Sequence, residues 1–234
     1  VGLNETFFIA AALPAIVLVP VLFVPETRRS DAPPAPRLLP AVRLLSAQPR
    51  ARAGAAALAT LAAVLAFIEP LLPLDISERL DLEPIVVGAV FSAALLAYFV
   101  GAPLAGRWSD ARGRRRPLLV GGIVLGASVP LIGFGPVWWV AVWMLAVGAG
   151  LAILGAGTGA LLTEAVDDAG MAGAYGLSAG VLTVIFAAGY AVGPLAAAAG
   201  AAVAPFWALC IVLGVAALLA SLWAWRQLAA SPST

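Results

Sequence analysis

Seven runs of about twenty mostly apolar residues fill this chain, and runs of that length match the hydrocarbon thickness of a bilayer when coiled as helices. They cover roughly 4–25, 53–74, 85–106, 117–135, 137–163, 173–198 and 203–225. In hydrocarbon every backbone amide needs an internal partner, and a helix supplies one within its own segment. Composition agrees with this reading. Hydrophobic residues make up 63% of the chain and charged residues 11%, against about a quarter charged in soluble domains. The 24 Gly and 18 Pro sit inside apolar runs, where spanning helices tolerate them. The expected fold class is all-α integral membrane, with seven transmembrane helices and the lipid bilayer as first partner.

Several chemistries are excluded by what the chain lacks. It has no His, so imidazole acid–base catalysis and His metal ligation are ruled out. Its one cysteine, Cys210, lies in an apolar run and cannot build a Cys-rich metal site. All 13 basic residues are Arg, which removes a P-loop or Schiff-base lysine, and a net charge of +1 argues against a nucleic-acid partner. No catalytic residues, metal site or cofactor are expected. The chain begins at Val1 without a basic n-region, so it reads as a fragment whose N-terminal part is missing.

Arginine placement predicts the topology. Arg28, Arg29, Arg37, Arg43, Arg50 and Arg52 precede the second run, Arg107, Arg112, Arg114, Arg115 and Arg116 lie between the third and fourth, and Arg226 follows the last. With seven helices these positions share one side, leaving Arg79 alone opposite. The arginine-rich side is expected to be cytoplasmic, with the N-terminal residue outside and the C-terminus inside. Trp138 and Trp139 at the outer face, and Trp108, Trp223 and Trp225 at the inner face, read as an interfacial belt.

The most specific run is Gly106-Arg-Trp-Ser-Asp110-Ala-Arg112-Gly113-Arg114-Arg115-Arg116. Gly106 allows close packing at a helix end, and Asp110 can accept from helix-end amides or pair with an Arg. Gly113 permits a left-handed backbone. This run resembles the loop that joins the second and third helices of each half in the major facilitator superfamily. Gly106, Asp110, Gly113, Arg114 and Arg115 fall in register, while Ala111 stands where that family has a basic residue and Arg112 follows one place later. The resemblance implies that residues 1–25 are the last helix of an N-terminal half and 26–52 the central cytoplasmic loop. It makes 53–226 the complete six-helix C-terminal half and 227–234 a cytoplasmic tail. Such transporters rock two halves about a midplane site, so the missing N-terminal half is an implied partner.

Phe67-Ile68-Glu69-Pro70-Leu71-Leu72-Pro73 resembles a Glu-Pro-x-Leu-Pro stretch of the drug:proton antiporter branch. A carboxylate within a spanning run is costly and marks function by default. Pro70 loosens the helix ladder beside it. A low-dielectric setting favours the protonated acid, which suits proton exchange. Glu69 is thus the candidate proton-coupling or substrate residue, although a bland reading has it reaching water from near the outer boundary. Gly189-Tyr190-Ala-Val-Gly193-Pro194 resembles a Gly-x-x-x-Gly-Pro element of the same branch, with Gly189 and Gly193 as packing positions and Pro194 as a possible hinge. Gly122/Gly126, Gly155/Gly159 and Gly176/Gly180 repeat the small-residue spacing and read as packing. Tyr98, Thr158, Thr183 and Tyr190 are candidate cavity-lining residues, with bonds back to their own helix the bland alternative.

Two motifs are decoys. Gly176-Leu-Ser178-Ala-Gly180 and Gly155-Ala-Gly157-Thr-Gly-Ala160 mimic a nucleophile elbow and a dinucleotide loop without the strand context either needs. The expected function is proton-coupled efflux of small amphipathic or drug-like molecules by alternating access, in the cell membrane. The rival is a non-transporting sensor or assembly protein of the same fold.

Overall fold

A computed structural model describes residues 38–171 and 174–229, together with scattered positions between 8 and 23. Two compact units divide the chain, residues 1–34 and 35–234. In the first, the described positions from 8 to 20 are helical, and the Leu22 amide donates to the carbonyls of Leu18 and Val19 at 3.2 Å. Half of the expected first span, the positions of Arg28, Arg29 and Arg37, and the end of the tail lie outside the described residues.

The second unit is helical among its described residues: α1 Leu38–Ala47, α2 Pro49–Leu80, α3 Pro84–Arg112, α4 Arg115–Leu131, α5 Val137–Gly155, α6 Thr158–Asp168, α7 Tyr175–Ala201 and α8 Phe206–Ala229. Pro49 and Pro84 open α2 and α3 at the first helical position, where a missing amide proton costs nothing. Five stretches are long and apolar enough to cross a membrane: Pro49–Leu80, Pro84–Arg112, Val137–Asp168, Gly176–Ala201 and Phe206–Ala229. The expected 117–135 span forms the 17-residue α4, at the short limit for a crossing.

Several expected boundaries change. Residues 75–84, which lie between two of the expected spans, are helical as far as Leu80, where Asp75 and Arg79 form an i,i+4 pair that supports the helix past its apolar part. The basic loop expected at 107–116 shrinks to Gly113 and Arg114, and part of the expected central loop is helix α1 and the start of α2. Pro70 and Pro73 lie inside α2 without ending it. The expected 137–163 helix is broken at Ala156–Gly157 into α5 and α6. There the Thr158 hydroxyl donates to the Gly155 carbonyl at 2.9 Å, which satisfies a group the break would leave open.

Packing centres on α2, which touches α6, α7 and α8, while α5 packs against α3 and α4, and α4 against α8. Val64, Ile68, Leu72 and Ile76 of α2 join Leu125 and Val129 of α4 and Val140, Met144 and Leu154 of α5 in one core. The α4–α8 crossing is close. A Cβ at Gly122 would collide with the Ser221 side chain, and one at Gly126 would lie 2.9 Å from Leu218 Cβ. By contrast α3 and α7 leave large apolar side chains exposed, among them Phe99, Leu95, Val184 and Leu195.

At one end of the unit, the turn after α4 is tied down by two hydrogen bonds. Trp139 Nε1 donates to the Leu131 carbonyl at 3.0 Å, and Arg79 donates to the Gly135 carbonyl at 2.7 Å. Gly135 adopts φ +74°, a left-handed angle that costs a glycine little. Trp139 is therefore a structural tie, whereas Trp138 is exposed.

Candidate functional site

Glu69 sits on α2, ~9 Å of helical rise before Asp75, the first charged side chain towards that end. The helix continues to Leu80, so the acid lies ~17 Å from the end of α2. Its carboxylate is exposed on the α7 side of the helix, where the Tyr190 hydroxyl donates to Oε1 at 2.8 Å. The Tyr190 ring is itself held by Phe186, one turn earlier on α7, at a centroid separation of 4.9 Å. On the same end of α2, Phe67 stacks on Phe206 of α8 at 6.4 Å.

What brings the acid and the phenol together is a crossing of small residues. Gly189 and Gly193 of α7 lie on Ala62 and Ala66 of α2. A Cβ at Gly189 would fall 2.6 Å from Ala62 Cβ, and one at Gly193 would collide with Ala66 Cβ. Four-residue spacing repeats on both helices, so two backbones approach along one stripe. Tyr190 follows Gly189 directly, and Glu69 lies one turn beyond Ala66, so the crossing delivers both side chains to one place.

The other sequence candidates are dispersed. Pro70 is half-buried next to Glu69, and Pro194 is exposed beyond Gly193. The hydroxyl of Thr183 donates back to the Ala179 carbonyl at 3.0 Å, as that of Thr158 does to Gly155. Tyr98 is exposed on α3. Of the four candidate cavity residues, Tyr190 alone meets Glu69 through a hydrogen bond among the described residues. Gly176, Gly180 and Gly159 were expected to pack, yet a Cβ on any of them would meet nothing within 4 Å. Gly155 and Gly157 flank the α5–α6 break and face neighbours closely, a Cβ at Gly155 falling 3.2 Å from Leu61 Cδ1 of α2 and one at Gly157 3.3 Å from Ser109 Oγ.

At the opposite end of α2 the glycine-and-arginine run forms a charge cluster. Gly113 takes φ +84°, the left-handed angle expected of it, between α3 and α4. Gly106, expected at a close contact, is interior to α3 and a Cβ there would meet nothing within 4 Å. Arg114 pairs with Asp110, donates to Ser109 Oγ at 3.2 Å and reaches Glu164 of α6 at 3.4 Å. Burial works against the Arg114 charge, but the hydrogen bond and charge of Asp110, then of Glu164, outweigh it. The guanidinium accordingly holds its proton more tightly than a free arginine. Arg115 lies over the Trp225 ring at 4.0 Å, a cation–π contact between α4 and α8. Arg112 is exposed.

Three members of this cluster, Arg50, Glu164 and Asp168, were missing from the sequence candidates. Arg50, at the start of α2, pairs with Asp168 and lies 4.0 Å from Glu164. The cluster thus joins α2, the α3–α4 turn and α6. Exposed pairs of this kind contribute under ~1 kcal/mol each, so they fix relative position more than stability.

Residues 54–233 match the Major Facilitator Superfamily, well over half of the chain. The chain belongs to the major facilitator superfamily. Membership makes it a membrane transport protein, and the glycine-and-arginine turn between α3 and α4 is the element through which that kinship was first visible. No curated protein matches the chain as a relative.

Proposed function

We propose that α2–α8 form the C-terminal six-helix half of a proton-coupled exporter of small amphipathic or cationic molecules, in which Glu69 exchanges the proton. Residues 1–25 are then the last helix of the N-terminal half, 26–52 the central cytoplasmic loop, 53–226 the bundle and 227–234 the tail. The protein lies in the cell membrane with its arginine-rich end and C-terminus in the cytoplasm. The preceding half of the polypeptide covers the apolar faces that α3 and α7 leave open, and the two halves rock about a site between them.

The observation that carries this reading is the Tyr190–Glu69 hydrogen bond at 2.8 Å, formed at a crossing of small residues. A carboxylate inside a spanning segment is held at a cost, and a single phenol donor leaves its other oxygen for a proton or a cation. Glu69 then binds either partner but not both, which is the competition an antiporter needs. The Arg114–Asp110–Glu164 cluster supports a positional latch at the cytoplasmic end. The test is Glu69→Gln in the whole transporter reconstituted in vesicles. Proton-driven efflux should be lost while counterflow exchange of substrate persists. Proton-driven efflux at the wild-type rate would end the proposal.

A further inference from the structure

At the arginine-rich end, α1, α2, α6 and α7 enclose a cavity of about 470 Å³ that takes no part in the site described above. Its walls are aliphatic: Leu45 from α1, Ala55 from α2, Leu162 from α6, and Leu177, Val181 and Ile185 from α7. Leu45 and Leu162 are buried, while Val184 and Gly180 at its edge are exposed, so the cavity is a trough that opens sideways along α7. A Cβ at Gly180 would meet nothing within 4 Å, and the same is true at Gly176, so space continues past both. These are the two glycines whose spacing suggested a helix contact that is not made.

Two polar side chains line the trough. Ser46 spends its hydroxyl on the Arg43 carbonyl at 2.8 Å. Arg52 is different. Arg50, two residues earlier, is neutralised by Asp168 and Glu164, whereas Arg52 forms no ion pair among the described residues. An aliphatic trough that opens along a membrane-length helix and carries an unpaired arginine in its lining fits an amphiphile with a long hydrocarbon chain and an anionic head. The geometry points to a membrane phospholipid with an anionic headgroup, one acyl chain lying against Val181 and Ile185 and its phosphate on Arg52. A soluble anion has no use for the aliphatic walls, and an amphiphilic cation is repelled by Arg52. The site places a bilayer lipid between α1 and α7, on the cytoplasmic leaflet if the arginine-rich end faces inward. It does not depend on Glu69 or on what is transported.

The experiment is native mass spectrometry of the whole polypeptide in mixed micelles, with dioleoyl phosphatidylglycerol or dioleoyl phosphatidylcholine as the probe. Wild type should retain phosphatidylglycerol about fivefold more tightly than phosphatidylcholine, the effect of one basic residue on an anionic lipid. Arg52→Gln should abolish that preference and Arg52→Lys should restore most of it. Gly180→Leu, whose side chain enters the open trough, should weaken retention of both lipids. Arg226→Gln, away from the trough, should change neither. Equal retention of the two lipids by wild type, no retained lipid at all because another segment fills the trough, or wild-type retention by Gly180→Leu would each overturn the proposal. Circular dichroism and size exclusion confirm that each variant is folded.

Discussion

The Tyr190 hydroxyl and the Glu69 carboxylate lie 121 residues apart in the chain and 2.8 Å apart in space. Removing the hydroxyl separates its two contributions, because Phe at 190 keeps the ring against Phe186 and deletes the donor alone. A hydrogen bond to a charged group contributes ~1.5–3 kcal/mol. If that bond is formed in one state of the cycle and broken in another, Tyr190→Phe should slow efflux by roughly tenfold at unchanged expression. An efflux assay in whole cells reads this directly, and a wild-type rate would place the hydroxyl outside the cycle. Glu69 was legible in the sequence because an acid inside an apolar run stands out. Tyr190 stood out only as one of four polar residues in such runs, and nothing in the linear spacing distinguishes it from Thr183, whose hydroxyl bonds its own helix.

Between elements, the α2–α7 crossing rests on Gly189 and Gly193 against Ala62 and Ala66. Gly193→Ala sets two effects against each other. Alanine gains ~1 kcal/mol of helix propensity over glycine, but overpacking a close contact costs ~1–3 kcal/mol. The added Cβ would overlap Ala66 Cβ, so the loss should win and the thermal midpoint of the detergent-solubilised protein should fall. Ala66→Gly in the same chain should return most of it. Failure of the second substitution to rescue the first would mean that the helices do not meet at this pair. The Gly-x-x-x-Gly half of the crossing was legible, whereas the alanine half was hidden because Ala is common throughout this sequence. Helix ends misled for a related reason. Asp75, Glu78 and Arg79 read as loop by polarity, yet Asp75 and Arg79 pair along the helix and extend it. Gly176 and Gly180 share the spacing of Gly189 and Gly193 and pack on nothing close, so spacing names a smooth stripe without naming what covers it.

For the molecule as a whole, charge placement makes the sharpest prediction. Cys210 is buried, so an engineered cysteine reports against a quiet background. A cysteine at Asp81, beyond α2, should be labelled in intact cells by a membrane-impermeant maleimide. One at Arg112, beside the α3–α4 turn, should be labelled only after the membrane is permeabilised. The reverse pattern would invert the topology. The arginine-rich end was legible because many residues of one sign fall at alternate helix ends, but its pairings were not. Arg50 could meet any of several carboxylates near that end, and only the folded chain brings Asp168 to it. The break between α5 and α6 was illegible too, since glycine is tolerated within a spanning helix and signals a bend no more than a contact. That break differs in kind from one made by proline. Proline lacks the amide proton for good, whereas Ala156, Gly157 and Thr158 keep theirs, and the Thr158 hydroxyl merely occupies the Gly155 carbonyl. Straightening the span is then an exchange of one local hydrogen bond for another, worth ~1 kcal/mol. The break is a joint between α5 and α6, and α6 carries Glu164 and Asp168, which tie it to Arg114 and Arg50 at the arginine-rich end.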